Sequence, residues 1–368
     1  MNSERYNAPA GPWQDISPAD WSDWRWQFRS RVRTLPALAA LLKEPSFTPG
    51  TLEAVTDVYP FAMTPYYFSL LKPGDGNDPI RRQGVPDPAE IGFSPGGLDD
   101  PLGEELSMPV PGLVHRYRDR CLALVTNRCA VYCRHCNRKR MWGRRGKTAG
   151  QDTLSRMVDY VAGTPAVREV IVSGGDPLTL DDRFLDGFLG ALRAIPHVEV
   201  LRLGSRVPVV MPMRVTTRLC RMLRRHRPLW FNTQFNHPRE ITTEAARACE
   251  MLLDAGIPVS NQSVLLRGVN DDYNTMRNLV HGLQRISVRP YYLFQCDPVR
   301  GTGHFRADIA RGLSIMDRLR RNTSGLCLPH YVLDVPGEEA KIHLQSAEKS
   351  PREDGGCQHF FDNGVQID

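Results

Sequence analysis

Residues 122–140 read LALVTNRCAVYCRHCNRKR, and the fold is decided there. Leu122 to Thr126 is an apolar run of strand length. Directly after it Cys129, Cys133 and Cys136 stand in a C-x3-C-x2-C spacing. Three thiols on one short loop suit a metal centre. Zinc needs four ligands, and His135, lying between two of the cysteines, has little freedom to aim at the same ion. An iron-sulfur cluster held by only three thiolates keeps one iron free for a non-protein ligand. The chain has 368 residues and nine cysteines. An odd count behind a charged, tryptophan-bearing start argues against a disulfide framework and for metal or redox chemistry.

Outward from this stretch, further apolar runs recur at Val170 to Ser173, Val198 to Leu203, Leu229 to Gln234, Val259 to Leu266 and Val288 to Phe294. Helical periodicity fills the gaps. Phe184, Leu185, Phe188, Leu189 and Leu192 form one stripe behind Asp181 and Asp182, acids that suit a helix N-terminus. Thr242 or Thr243 caps a helix with Ala245, Cys249 and Leu252 on its apolar face, and Gly256 with Pro258 stops it. Six strand–helix units predict an α/β fold with a parallel sheet, which either opens flat or curls into a partial barrel.

The rest of the chain divides around this core. Residues 1–112 form an N-terminal accessory region with an amphipathic helical stretch from about Pro18 to Lys43. Its last part, Pro86 to Gly112, is punctuated by Pro and Gly too densely for a helix or central strand and reads as a connector. Residues 113–336 carry the strand–helix units, and residues 337–368 a loop and a short polar C-terminal tail from about Ala340. Hydrophobic residues at 41% and charged residues at 24% are ordinary globular usage. No run approaches the ~18 apolar residues of a membrane span, so the cytoplasm is the expected compartment.

With 47 Lys plus Arg against 41 Asp plus Glu, the net charge is +6. The basic excess gathers near the cysteines, at Arg128, Arg134, Arg138, Lys139, Arg140, Arg144, Arg145 and Lys147. A nucleic-acid patch would interleave such residues with more aromatics than Tyr132 and Trp142, and an anionic cluster with carboxylate ligands is the nearer use. Nucleic acid is not an expected partner.

The cysteine spacing, together with Ser173, Gly174, Gly175 and Asp176 after the next strand, resembles the radical S-adenosylmethionine superfamily. The resemblance implies a partial (β/α)6 barrel and a four-iron four-sulfur (4Fe-4S) cluster whose free iron chelates S-adenosylmethionine. A narrower resemblance, spanning about Asp100 to Lys341, is to the lysine 2,3-aminomutases, which also use pyridoxal 5'-phosphate. It rests on PVPGLVHRYRDR, CAVYCRHCNRKR, SGGDPLTL, FNTQFNHP, NQSVLLRGVND, RPYYLFQCD, GTGHFR and HYVLDVPGEEAK.

That resemblance implies an isomerase that moves an amino group between C2 and C3 of a basic L-amino acid, L-lysine to L-β-lysine. It assigns Lys341 to the attachment of pyridoxal 5'-phosphate, Arg116 and Arg120 to its phosphate, and Tyr117 to the same cofactor. Ser173, Gly174, Gly175, Asp176, Gln234, Asn261 and Gln262 fall to S-adenosylmethionine. Arg138 is assigned to the substrate α-carboxylate, Asp297 and Asp334 to the distal ammonium. Two carboxylates facing one pocket are costly without a cation between them, which itself argues for a basic side chain. An electron donor such as flavodoxin or ferredoxin is an expected partner, and a homo-oligomer is allowed.

The chain departs from the family pattern at three places. Glu338, Glu339 and Ala340 replace a run of glycines before Lys341, and Gln234 stands where relatives have histidine. Asp272 stands where zinc-bearing members have a cysteine, leaving only Cys357 and His359 near the end, so no structural zinc is expected. The other cysteines, Cys121, Cys220, Cys249, Cys296 and Cys327, read as small buried packing residues. Arginine 2,3-aminomutation is the alternative of the same class, since the acidic pair suits a guanidinium equally. A cluster-bearing nucleic-acid-binding module is the alternative of another class, and it leaves Lys341 and the acidic pair without a purpose.

Overall fold

A computed structural model of the chain describes residues 11–44, 50–92, 96–142, 148–338 and 340–344, and the backbone of three short strands beyond them. Nine strands form one sheet in chain order: β1 (Leu113–Tyr117), β2 (Arg120–Thr126), β3 (Glu169–Gly174), β4 (Val200–Gly204), β5 (Leu229–Thr233), β6 (Val259–Leu265), β7 (Arg289–Gln295), β8 (His330–Leu333) and β9 (Ile342–His343). Strands β2 to β8 are parallel, while β1 and β9 run antiparallel at the two ends.

This order resolves the choice between a flat sheet and a barrel. A doubly wound sheet reverses its strand order at a switch point. Here every crossover steps the same way, so right-handed connections put all the helices on one face. The other face can be covered only by the sheet curling on itself. No strand pairing among the described residues joins β1 to β9, so the barrel is partial. The crossover helices between β2 and β8 are Gln151–Ala162, Asp182–Arg193, Thr217–Arg224, Thr243–Asp254, Tyr273–Arg285 and Ile309–Asn322, with a further single turn at Val207–Val210. Asp181 caps the second, accepting from the Phe184 amide at 2.8 Å, and Thr242 caps the fourth, accepting from Ala245 at 3.1 Å. Leu185, Phe188, Leu189 and Leu192 are the buried stripe of the second helix.

Three features differ from the sequence expectations. The six apolar runs appear as β2 to β7, but β1, β8 and β9 also join the sheet. They are short, and only part of each is apolar enough to stand out. The stretch from Pro18 to Lys43 is three helices, Pro18–Ser22, Trp24–Arg29 and Leu35–Leu42. Asp23 and Thr34 restart the chain by accepting from the amides of Arg25 and Ala37, so local capping outcompetes continuation. The polar tail begins later than Ala340, because Ile342 and Leu344 are buried.

The N-terminal region is joined to the barrel by one core, in which Trp13, Phe28, Tyr67 and Ile80 pack with barrel residues. It is joined again by charge. Glu90, in the connector, is buried, and its carboxylate receives Arg134 Nη2 and Lys139 Nζ, both at 2.6 Å. Arg134 also donates to the Tyr59 and Pro60 carbonyls, and Lys139 to those of Arg134 and Gly301. Arg134, Lys139 and Glu90 are all essentially inaccessible to water. Removing the acid strands two buried cations. Glu90→Ala is therefore expected to cost about 3–5 kcal/mol of stability, read as a lowered midpoint in denaturant unfolding.

Candidate active site

The cysteine loop leaves the end of β2 and is held on both sides. On one side the amides of Tyr132 and Arg134 donate to the carbonyls of Ala62 and Gln83 in the N-terminal region, at 3.0 and 2.9 Å. On the other, the turn after β3 lies against the root of the loop, with Gly175 N donating to Thr126 O at 2.5 Å and Asp176 N to Arg128 O at 2.7 Å. A side chain at Gly174 or Gly175 would strike those same carbonyls, and Gly174 has φ +123°. Both glycines are therefore required by close backbone approach. The Asp176 carboxylate is committed to Ser205 Oγ at 2.7 Å and to the amides of Arg206 and Leu178 at 2.9 and 3.0 Å.

Cys129, Cys133 and Cys136 all face one cavity. Burial and mutual proximity push the Cys136 thiol up to about 11 and Cys129 well above its ordinary value. Among the described residues, no three His, Cys, Asp or Glu side chains converge on a single ion. A cubane cluster takes each thiolate on a separate iron, and the three thiols on one cavity wall fit that demand. Arg206 Nη1 donates to Cys133 Sγ at 2.7 Å, its Nη2 reaches Glu240, Gln83 and Tyr67 at 2.7, 2.6 and 3.2 Å, and its Nε donates to Gln234 O at 3.2 Å. His135 is buried and held neutral, by burial first and by Arg206 and Lys139.

The cavity measures about 780 Å³ and runs through the barrel interior. Strand alternation chooses its walls. On β3, Glu169, Ile171 and Ser173 face it while Val170 and Val172 are buried on the helix side, and on β4 Val200, Arg202 and Gly204 face it while Leu201 and Leu203 do not. The cavity gathers Cys129, Cys133, Cys136, Ser173, Gly174, Gly175, Asp176, Gln234, Gln262, Arg116, Tyr117, Arg120, Arg138, Asp297, Asp334 and Lys341. Asn261 is not among its walls. Residues alternate along β6, where Ser260, Gln262 and Val264 face the cavity and Asn261 turns away. Asn261 instead accepts from Phe235 N at 2.6 Å and donates to Phe235 O at 3.1 Å and Ser263 Oγ at 2.8 Å.

At one end, Lys341 Nζ is bonded to Asp334 Oδ2 and donates to Tyr117 Oη at 3.1 Å. Arg116 pairs with Asp334 Oδ1 at 3.0 Å and donates to Val335 O at 2.8 Å. The guanidiniums of Arg120 and Arg116 lie 4.0 and 5.3 Å from the centre of the Tyr117 ring. Two guanidiniums and a primary amine around one phenol fit the anionic, aldehyde-bearing pyridoxal 5'-phosphate. Glu338 does not line the cavity, and Glu339 lies outside the described residues, as do Arg144, Arg145 and Lys147 and the side chains of Cys357 and His359. Asp272 caps the helix Tyr273–Arg285 by accepting from Thr275 N at 3.0 Å. Cys121, Cys220, Cys249, Cys296 and Cys327 are buried.

The two carboxylates differ. Burial would raise Asp334, but Lys341 and Arg116 outweigh it and hold the group below its ordinary value. Asp297 receives only Asn137 Nδ2, at 3.2 Å, and its buried Oδ1 has no hydrogen-bond partner among the described residues. Burial, and then the nearby Asp334, push it up to about 7. Arg138 is engaged by Glu104. Glu104, Asn137 and Arg206 were not found by sequence reasoning. The one available signal was the acid run of the connector, facing the basic run beside the cysteines.

A raised carboxyl binds its proton more tightly folded than unfolded. The stability it contributes is therefore fully present only below about 3.8 and is lost progressively as pH rises from there to about 7. Asp297→Asn is expected to raise the urea midpoint at pH 8 and to raise it by less than half as much at pH 5. Equal effects at the two pH values would contradict this ionisation.

The Radical SAM superfamily model matches residues 124–280. The chain is 48% identical over 331 residues to the L-lysine 2,3-aminomutase of Clostridium subterminale, covering 89% of this chain and 79% of that protein. It is 44% identical over 333 residues to the L-lysine 2,3-aminomutase of Bacillus subtilis, covering 90% and 71%. To the glutamate 2,3-aminomutase of Clostridioides difficile it is 41% identical over 325 residues, covering 88% and 77%.

Proposed function

Since the chain belongs to the lysine 2,3-aminomutase family of the radical S-adenosylmethionine superfamily, we propose that it moves the amino group of L-lysine between C2 and C3. Membership of the superfamily implies a 4Fe-4S cluster and S-adenosylmethionine, and the aminomutase relationship adds pyridoxal 5'-phosphate to the proposal. When bound, the cluster and S-adenosylmethionine supply a hydrogen-abstracting carbon radical, and pyridoxal 5'-phosphate supplies the π-system that eases nitrogen migration.

The chain's own residues divide the remaining work. Cys129, Cys133 and Cys136 would hold the cluster, and the Ser173–Asp176 turn with Gln234 and Gln262 would border S-adenosylmethionine. Lys341 would hold pyridoxal 5'-phosphate, with Arg116 and Arg120 on its phosphate. Tyr117 Oη, 3.1 Å from Lys341 Nζ, orients that amine, and Asp334 keeps it paired. Arg138 receives the α-carboxylate. The barrel wall keeps bulk water away from these groups, which strengthens each charge interaction.

The observation that carries the choice of a basic substrate is the Asp297 carboxylate, with its buried, unpartnered Oδ1 and with Asp334 nearby. An ammonium group between them gives Asp297 a partner and restores its ionised form. The carboxylate of a glutamate side chain would add a third like charge. The relatives named for lysine support L-lysine over L-arginine.

The test is an anaerobic assay of the reconstituted protein against L-lysine, L-arginine and L-glutamate, with product regiochemistry determined. L-β-lysine is expected, and turnover of glutamate alone would overturn the proposal. Asp334→Asn is expected to lower kcat/KM for the basic substrate by roughly two to three orders of magnitude, the scale of a broken buried ion pair. Lys341→Ala is expected to abolish turnover while iron and sulfide content stay unchanged. Borohydride treatment followed by peptide mass mapping should place pyridoxal 5'-phosphate on Lys341 in the parent protein.

A further inference from the structure

Arg138 is held from behind by a residue of the connector. Its Nε donates to both carboxylate oxygens of Glu104 at 3.0 Å, and its Nη2 to one of them at 2.6 Å. The second oxygen also accepts from Arg140 Nη2 at 3.0 Å. The Glu104 side chain is 4% exposed and the Arg138 side chain 18%. Among the described residues no hydrogen bond uses Arg138 Nη1, and the residue borders the cavity.

We propose that Glu104 is a positioning residue for carboxylate recognition, fixing the Arg138 guanidinium so that its Nη1 side meets the α-carboxylate of the amino acid. This rests on the proposed function in taking an amino acid as substrate, but not in which one, since every α-amino acid carries that carboxylate. An arginine side chain is long and rotatable, and freezing it before the ligand arrives removes that entropy from the cost of binding. Glu104 does so through the Nε–Nη2 edge of Arg138, leaving Nη1 to the ligand, and its carboxylate is shared with Arg140, which Asp100 and Glu105 also hold at 3.2 Å. Burial pushes Glu104 up, but Arg138 and Arg140 outweigh it and hold the group at about 2, so the support stays charged at every working pH. Its burial and its second partner make Glu104 a fixed support and not a stand-in that substrate displaces. The same contact reaches the cysteine loop, since Arg138 N donates to Cys136 Sγ at 3.3 Å.

The experiment compares the reconstituted parent protein with Glu104→Gln, Arg138→Gln and the double variant. Calorimetric dissociation constants are measured anaerobically for L-lysine, L-arginine and L-glutamate, and for 1,5-diaminopentane, which has both amines of lysine and no carboxylate. Glu104→Gln is expected to weaken the best-bound amino acid by about tenfold or more, the scale of a charge-assisted hydrogen bond. It should change 1,5-diaminopentane by less than about twofold, leave iron and sulfide content unaltered, and add no further loss in the Arg138→Gln background. Unchanged amino-acid affinity, additive losses, or parallel weakening of the diamine would overturn the role of Glu104. So would loss of iron, which would assign Glu104 to the cysteine loop alone. A parent protein that binds none of the three amino acids would overturn the proposed function, and this role with it. Amino-acid binding by the parent with no change on Glu104→Gln would overturn this role alone.

Discussion

The cysteine loop carries four cations within seven residues, Arg134, Arg138, Lys139 and Arg140, of which Arg134 and Lys139 are buried and the other two half-buried. A buried charge must be paired, and the acids that pair these lie in the connector. Glu90 answers Arg134 and Lys139; Glu104 answers Arg138 and Arg140. The N-terminal region is thereby drawn over the mouth of the barrel, and the loop gains a rigid back wall. The same pairing decides the electrostatics around the thiols. Four of the eight basic residues that cluster in sequence are thus answered by acids in the fold.

The second organising fact is that all crossovers of the sheet step in one direction. The helices take the apolar outer face, so Val170, Val172, Leu201 and Leu203 pack beneath them. The alternate residues of the same strands are left to line an interior that is not filled by side chains. That interior holds opposed charges, Arg202 with Glu169 and Lys341 and Arg116 with Asp334. Asp297 is close to another acid and, among the described residues, has no ion-pair partner. Its imbalance is the place where a basic ligand gains most.

Arg206 joins the two halves of the molecule. It is 7% exposed and meets Tyr67 and Gln83 of the N-terminal region, Glu240 beyond β5, and Cys133. One guanidinium thus ties the accessory region, the barrel and the cysteine loop together. A buried Arg with one carboxylate partner is tolerated because its remaining donors are also satisfied.

Sequence by itself determined the features that depend on local pattern. The six apolar runs appear as β2 to β7, the Asp181 and Thr242 caps lie where the periodicity begins, and the cysteine spacing selects the loop. The same spacing resembled a family to which the chain belongs. Tertiary structure decided what depends on partners far apart in the chain. Strand order, not composition, chose a partial barrel over a flat sheet. The two-residue period of β6 sent Gln262 into the cavity and Asn261 away from it, a distinction that motif matching alone does not make. Glu104 and Asn137 became visible only when distant segments met, because an acid in a Pro- and Gly-rich connector has no local sign of its partner. Pairing energies depend on distance in space, and a linear sequence carries that distance only where periodicity or a short loop fixes it.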